Sequence, residues 1–106
     1  LTILTIIWAI LMKITRDTVR DQLIESLSVH SAIDLTVTDL DQKIDEHDID
    51  SLDILKINLD IEVKLEKKIS TDKILTTVFI LDDVHLDPGE TFNNWIDKIA
   101  DCIKVN

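Results

Sequence analysis

Apolar positions along the chain fall into three patterns. From Thr15 to Val29 they recur at helical spacing, with Val19, Leu23, Ile24 and Leu27 on one side and charges between them. This predicts a helix over residues 15–29, capped by Thr15 or Asp17. Residues 30–50 are polar and acidic, interrupted by Ile33, Leu35, Val37, Leu40, Ile44 and Ile49. They read as a long loop pinned by apolar residues, and loops of that length without structure are uncommon and often functional.

The third pattern conflicts with itself. Leu55, Ile57, Leu59, Ile61, Val63 and Leu65 alternate with polar residues, which is the strand signal. The run is about twice the usual strand length of roughly 5–6 residues. Asp50 and Asp53 also form a capping-box-like start with acid in the first turn. A helix over residues 51–68 is therefore favoured. On it the apolar residues make two stripes, Leu52–Leu55–Leu59–Val63 and Ile54–Ile57–Ile61–Leu65, with Asp53, Asp60 and Lys64 between them. Both stripes are expected to be buried. Residues 71–83, with Ile74, Leu75, Val78, Phe79 and Leu81, fit a short helix or a buried strand. Pro88-Gly89 marks a turn. Residues 91–104 read as a helix capped by Thr91, with Phe92, Trp95, Ile96, Ile99 and Ile103 on one face. The expected fold is all-α: a small four-helix bundle with a long loop between its first two helices.

Composition narrows the picture. At 106 residues one domain is expected, and 45% hydrophobic residues support a packed core. The single Gly and single Pro favour long elements over many tight turns. Residues 1–12, LTILTIIWAILM, are strongly apolar, but Lys13, Arg16 and Asp17 end the run short of the about 20 residues a membrane span needs. They read as an N-terminal extension preceding a domain at residues 13–106. A net charge of −10 repels phosphate backbones and argues against nucleic acid as a partner. It favours docking to basic protein surfaces. The lone Cys102 fits a reducing cytoplasm, and its spacing from Ile99 and Ile103 places it in or beside the core.

Candidate catalytic and metal sites are weak. His30, His47 and His85 share no ligand spacing. The acidic run from Asp39 to Asp50 begins like a calcium loop, then places Ile44 where Gly is needed and Asp50 where a bidentate Glu belongs. Neither a nucleophile–base pair nor a phosphate-cradling glycine loop is legible. No residue is assigned a catalytic or metal-binding role.

Ser51 stands apart by its surroundings. The order is helix, long acidic loop, D-S-L-D, amphipathic helix, short element, final helix. The segment I-D-S-L-D-I-L-K-I (Ile49 to Ile57), the apolar spacing at Leu59, Ile61 and Leu65, and T-F-N-N-W-I-D-K-I (Thr91 to Ile99) together resemble the acyl carrier protein family. The resemblance extends over residues 13–104. It implies a four-helix bundle of acyl-carrier type and a monomer that performs no catalysis of its own. It also implies a 4′-phosphopantetheine arm on Ser51, flanked by Asp50 and Leu52. A phosphopantetheinyl transferase would attach the arm from coenzyme A. Acyl-transferring or synthase enzymes of fatty-acid or lipid biosynthesis would dock on the following helix, at Asp53, Lys56 and Asp60. Three features depart from the family. Asp48 stands where it usually has Gly. Lys56, Lys64, Lys67 and Lys68 dilute the acidic second helix. About a dozen extra residues precede the last helix, as in carriers for unusual acyl chains. Two other readings stay open: an acidic interaction domain of the same fold without an arm, and a β-rich adaptor in which residues 55–65 form a strand.

Overall fold

The computed structural model describes residues 3–69, 75–77, 84–87 and 89–105. Helix α1 runs from Ile3 to Ser31. Val19, Leu23 and Leu27 are fully buried on one side of it, joined by Thr15, Gln22 and Ser26. These positions repeat every three or four residues, so one stripe faces the core. The helix starts earlier than residue 15, so Thr15 and Asp17 lie inside it and cap nothing. Residues 3–11 of the apolar run belong to the same helix, and Ile3, Leu4 and Ile6 are exposed on it. At 29 residues α1 is about 43 Å long at 1.5 Å per residue, close to the molecule's longest extent of 45 Å. Among the described residues no helix is long and apolar enough to cross a membrane.

Ala32 has a left-handed φ of 54°, and the N–H of Ile33 reaches back to the carbonyl of Leu27 at 3.2 Å, which closes α1. The loop that follows contains two 3₁₀ turns, Val37–Asp39 and Ile44–Glu46. Leu35, Leu40 and Ile44 bury and pin it as their spacing predicted, whereas Val37 is exposed. The loop also closes on the final helix. Ile44 N–H donates to Glu90 O, Phe92 N–H to Gln42 O, and Asn93 N–H to Leu40 O. Those donors are ones a helix start leaves unsatisfied.

Helix α2 spans Ser51–Ile69, so the strand reading of residues 55–65 fails. Ile57, Ile61 and Leu65 are fully buried and Ile54 is partly buried. The other stripe is not covered: Leu52, Leu55, Leu59 and Val63 are 55%, 43%, 51% and 45% exposed. The expectation of two buried sides is corrected to one. The alternation arose because two helical faces, one inward and one outward, are both apolar.

Strand β1 (Leu75–Thr77) lies within the segment expected as a short helix or strand, whose other residues fall outside the described ones. Helix α3 spans Phe92–Ala100, and Thr91 caps it as expected, its Oγ1 accepting from Asn94 N–H at 3.2 Å. Phe92, Trp95, Ile96, Ile99 and Ala100 are buried. The helix ends before residue 104. Asp101 and Cys102 turn the chain, and strand β2 (Ile103–Val105) pairs antiparallel with β1, Thr77 opposite Ile103 and Leu75 opposite Val105. The β-branched Ile103 thus enters the core from a strand, not from the helical face assigned to it. The chain is predominantly helical, as expected. Its described residues form three α-helices and two 3₁₀ turns, with this ribbon added.

Candidate functional site

The start of α2 is built by a reciprocal cap. Asp50 Oδ1 accepts from Asp53 N–H at 2.8 Å, and Asp53 Oδ2 accepts from Asp50 N–H at 3.2 Å. The carbonyl of Asp50 takes the N–H of Ile54 at 3.1 Å. Asp50 is therefore the cap and Ser51 the first helical residue. The capping role that Ser51 shared with Asp50 on sequence grounds goes to Asp50. Ser51 is exposed, and no described residue hydrogen-bonds its hydroxyl.

Two clefts flank Ser51. One, of about 190 Å³, is lined by Ser51, Ile54, Leu55, Asn58, Val84, His85 and Leu86. The other, of about 240 Å³, also includes Ser51, Ile54 and Leu86, and is completed by Ile44, Asp45, Ile49, Asp87 and Gly89. Their outer wall is made by residues 84–87 and by Gly89. Val84 anchors it in the core, and Gly89, with φ of 89°, makes its turn. Lys98 fastens this wall to α3, donating to His85 O and to Glu90 at 2.8 Å. The Lys98 hydrogen bond holds the Glu90 carboxyl below the usual range, outweighing the opposing effect of burial.

Asn58 is 1% exposed within the otherwise apolar inner stripe of α2, and its Oδ1 accepts from the indole N–H of Trp95 at 2.8 Å. Sequence reasoning passed over it. Its signal is a polar residue four places after Ile54 and three before Ile61, at core spacing.

The predicted site residues separate. Leu52 is exposed beside Ser51, at the head of the outward stripe. Lys56 is exposed with it and lines a groove of about 370 Å³ with His30, Leu59, Asp60 and Val63. Asp53 is tied back to Asp50. Asp60 turns toward α1: Ser26 Oγ donates to its Oδ2 at 2.7 Å, and His30 Nε2 and Lys64 Nζ each lie 3.3 Å from the same oxygen. Gln22 Nε2 in turn donates to Ser26 Oγ. Asp60, the third residue expected to meet partners, joins α1 to α2 and also lines this groove. Burial raises its pKa, but the hydrogen bonds from Ser26 and Lys64 outweigh this and hold it below the ordinary carboxylate value. The exposed face around Ser51 thus carries four apolar side chains and Lys56.

Comparison with protein-family models, with curated proteins and with solved structures returned no match.

Proposed function

We propose that the chain is an acyl carrier protein of helical-bundle type that holds acyl groups as thioesters on a 4′-phosphopantetheine arm at Ser51. The observation that carries this reading is the division of labour at the start of α2. Asp50 fixes the helix, which leaves the adjacent Ser51 hydroxyl exposed and without a described partner. A serine that only capped would be engaged there. In the transfer, Ser51 Oγ bonds to the pantetheine-bearing phosphorus of coenzyme A. The pyrophosphate P–O bond breaks, adenosine 3′,5′-bisphosphate leaves, and the transferase takes the serine proton. Ser51 therefore needs no base of its own in this reaction.

The residues present fit the group. A phosphodiester on Ser51 would lie at the positive end of α2, near the N–H groups of its first turn. Clefts open on both sides for the arm or its cargo: one is lined by Ile54, Leu55, Val84 and Leu86 with Asn58 and His85, and the other by Ile44, Ile49, Ile54 and Leu86 with Asp45 and Asp87. The neighbouring carboxylates oppose the phosphate charge, but they act across exposed, strongly screened surface. The attached arm supplies a mobile thiol, and the acyl chemistry belongs to the docking enzymes. The outward stripe Leu52–Leu55–Leu59–Val63, with Lys56, is the surface on which we place their docking.

Incubation with coenzyme A and a promiscuous phosphopantetheinyl transferase, followed by intact-mass measurement, tests the assignment. The expected result is a gain of one phosphopantetheine, lost in Ser51→Ala. An unmodified wild type, or a Ser51→Ala variant that still gains the arm, sinks it. The exposed stripe also favours a second reading, an interaction domain of the same fold without an arm. That reading requires an unmodified Ser51 in the producing cell.

A further inference from the structure

We propose that the cleft between α2 and the segment 84–86 is a seat for the arm's own amide groups, with the side chain of Asn58 as the donor that receives them; this rests on the carrier reading of Ser51. The first observation is burial. Asn58 is 1% exposed, yet it lines the same cleft as Ser51. An amide at that depth requires hydrogen-bond partners, because a buried donor left unmatched keeps the full cost of its lost hydration. Trp95 satisfies only one side of it. An indole N–H can only donate, so the atom it meets is Oδ1, and the other branch of the amide is the NH₂. No described residue accepts from Nδ2. The open space that Asn58 lines is this cleft. The site thus offers N–H donors and lacks an acceptor.

The second observation is distance. Asn58 follows Ser51 by seven residues on the same helix, about 10.5 Å along its axis. A phosphopantetheine chain extended from Ser51 brings its second amide carbonyl about 11 Å from the phosphorus by ordinary bond lengths. The aliphatic wall of Ile54, Leu55, Val84 and Leu86 suits the methylene and dimethyl parts between. At about 190 Å³ the cleft is below the roughly 300 Å³ of a typical ligand site, so it fits a stretch of arm better than a long acyl chain. An oxygen on the cargo would present the same chemistry to Asn58, but the spacing selects the arm.

Nitrogen-15 NMR of the full chain, before and after enzymatic attachment of the unacylated arm, tests this. Intact mass confirms loading. Attachment should shift the Asn58 side-chain amide and the Trp95 indole N–H. It should also give nuclear Overhauser contacts from the Asn58 amide protons to the arm. Asn58→Asp keeps an oxygen for Trp95 and removes the donors; it should take up the arm and lose those contacts. If that variant does not fold, the wild-type comparison alone decides. A loaded wild type with both resonances unmoved overturns the seat and leaves the carrier reading standing. Arm contacts retained in Asn58→Asp, or shifts that appear only after the arm is charged with a 3-hydroxybutyryl group, also overturn it. Failure of the arm to attach overturns both proposals.

Discussion

At the residue scale, the region turns on two neighbours with different duties. Asp50 exchanges hydrogen bonds with Asp53 and fixes where α2 begins, and Ser51 is left outward. Sequence made both residues good caps, since Ser and Asp favour that position for the same reason. Only the geometry of Asp50 Oδ1 against Asp53 N–H separates them. Removing the cap tests the separation. Asp50→Ala should lower stability by about 1 kcal/mol, read as a lower midpoint in urea. It should also slow arm transfer to Ser51 more than that loss of folded protein explains. Asn58 shows the opposite limit of legibility. Its place in the sequence shows a polar residue in a core row, but only the fold brings Trp95 to its oxygen. Those two residues lie 37 positions apart.

At the element scale, α2 was legible in existence and extent, because a start signal of two aspartates and a run too long for a strand agreed. Its burial was misjudged. Two apolar stripes on one helix do not say how many neighbours the helix has, and here α1 and β1, with Trp95 of α3, cover only one. The stripes should therefore answer mutation differently. Ile61→Ala, in the fully buried row, should cost about 2–5 kcal/mol of unfolding free energy. Leu55→Glu, in the exposed row, should change it by no more than about 0.5 kcal/mol while weakening transfer reactions with docking enzymes. A core-sized loss at Leu55 in chemical denaturation would contradict its exposure. The final helix was legible at its start, where Thr91 caps it, and not at its end. Ile103 keeps helical spacing in the sequence, and the pairing with Thr77 that turns it into a strand is a long-range contact that periodicity cannot register.

At the scale of the whole molecule, Asp60 joins the first two helices through Ser26, with Lys64 and His30 beside it. A carboxyl whose pKa is depressed in the folded state contributes stability above its unfolded value. That contribution is lost as pH falls through the folded one. The window lies below about pH 4, the ordinary range for Asp. Asp39 and Glu90 shift in the same direction, Asp39 through the N–H and hydroxyl of Thr36, and add to the same acid limb. Asp60→Asn should therefore lower stability at neutral pH and flatten its decline on acidification, as followed by circular dichroism from pH 7 to pH 2. None of this tie was legible beforehand. Ser26, Asp60 and His30 carry no spacing that announces contact, and Asp60 was more simply read as surface charge. The exposed first turn of α1 has a last consequence. Ile3, Leu4 and Ile6 put apolar surface on a particle carrying ten excess negative charges. Between two such particles, short-range stickiness competes with long-range repulsion. The repulsion reaches about 30 Å at 0.01 M salt and about 8 Å at physiological ionic strength. The protein's colloidal behaviour is thus set by the ions around it: dispersed in dilute buffer, and increasingly cohesive as salt shortens the reach of its charge.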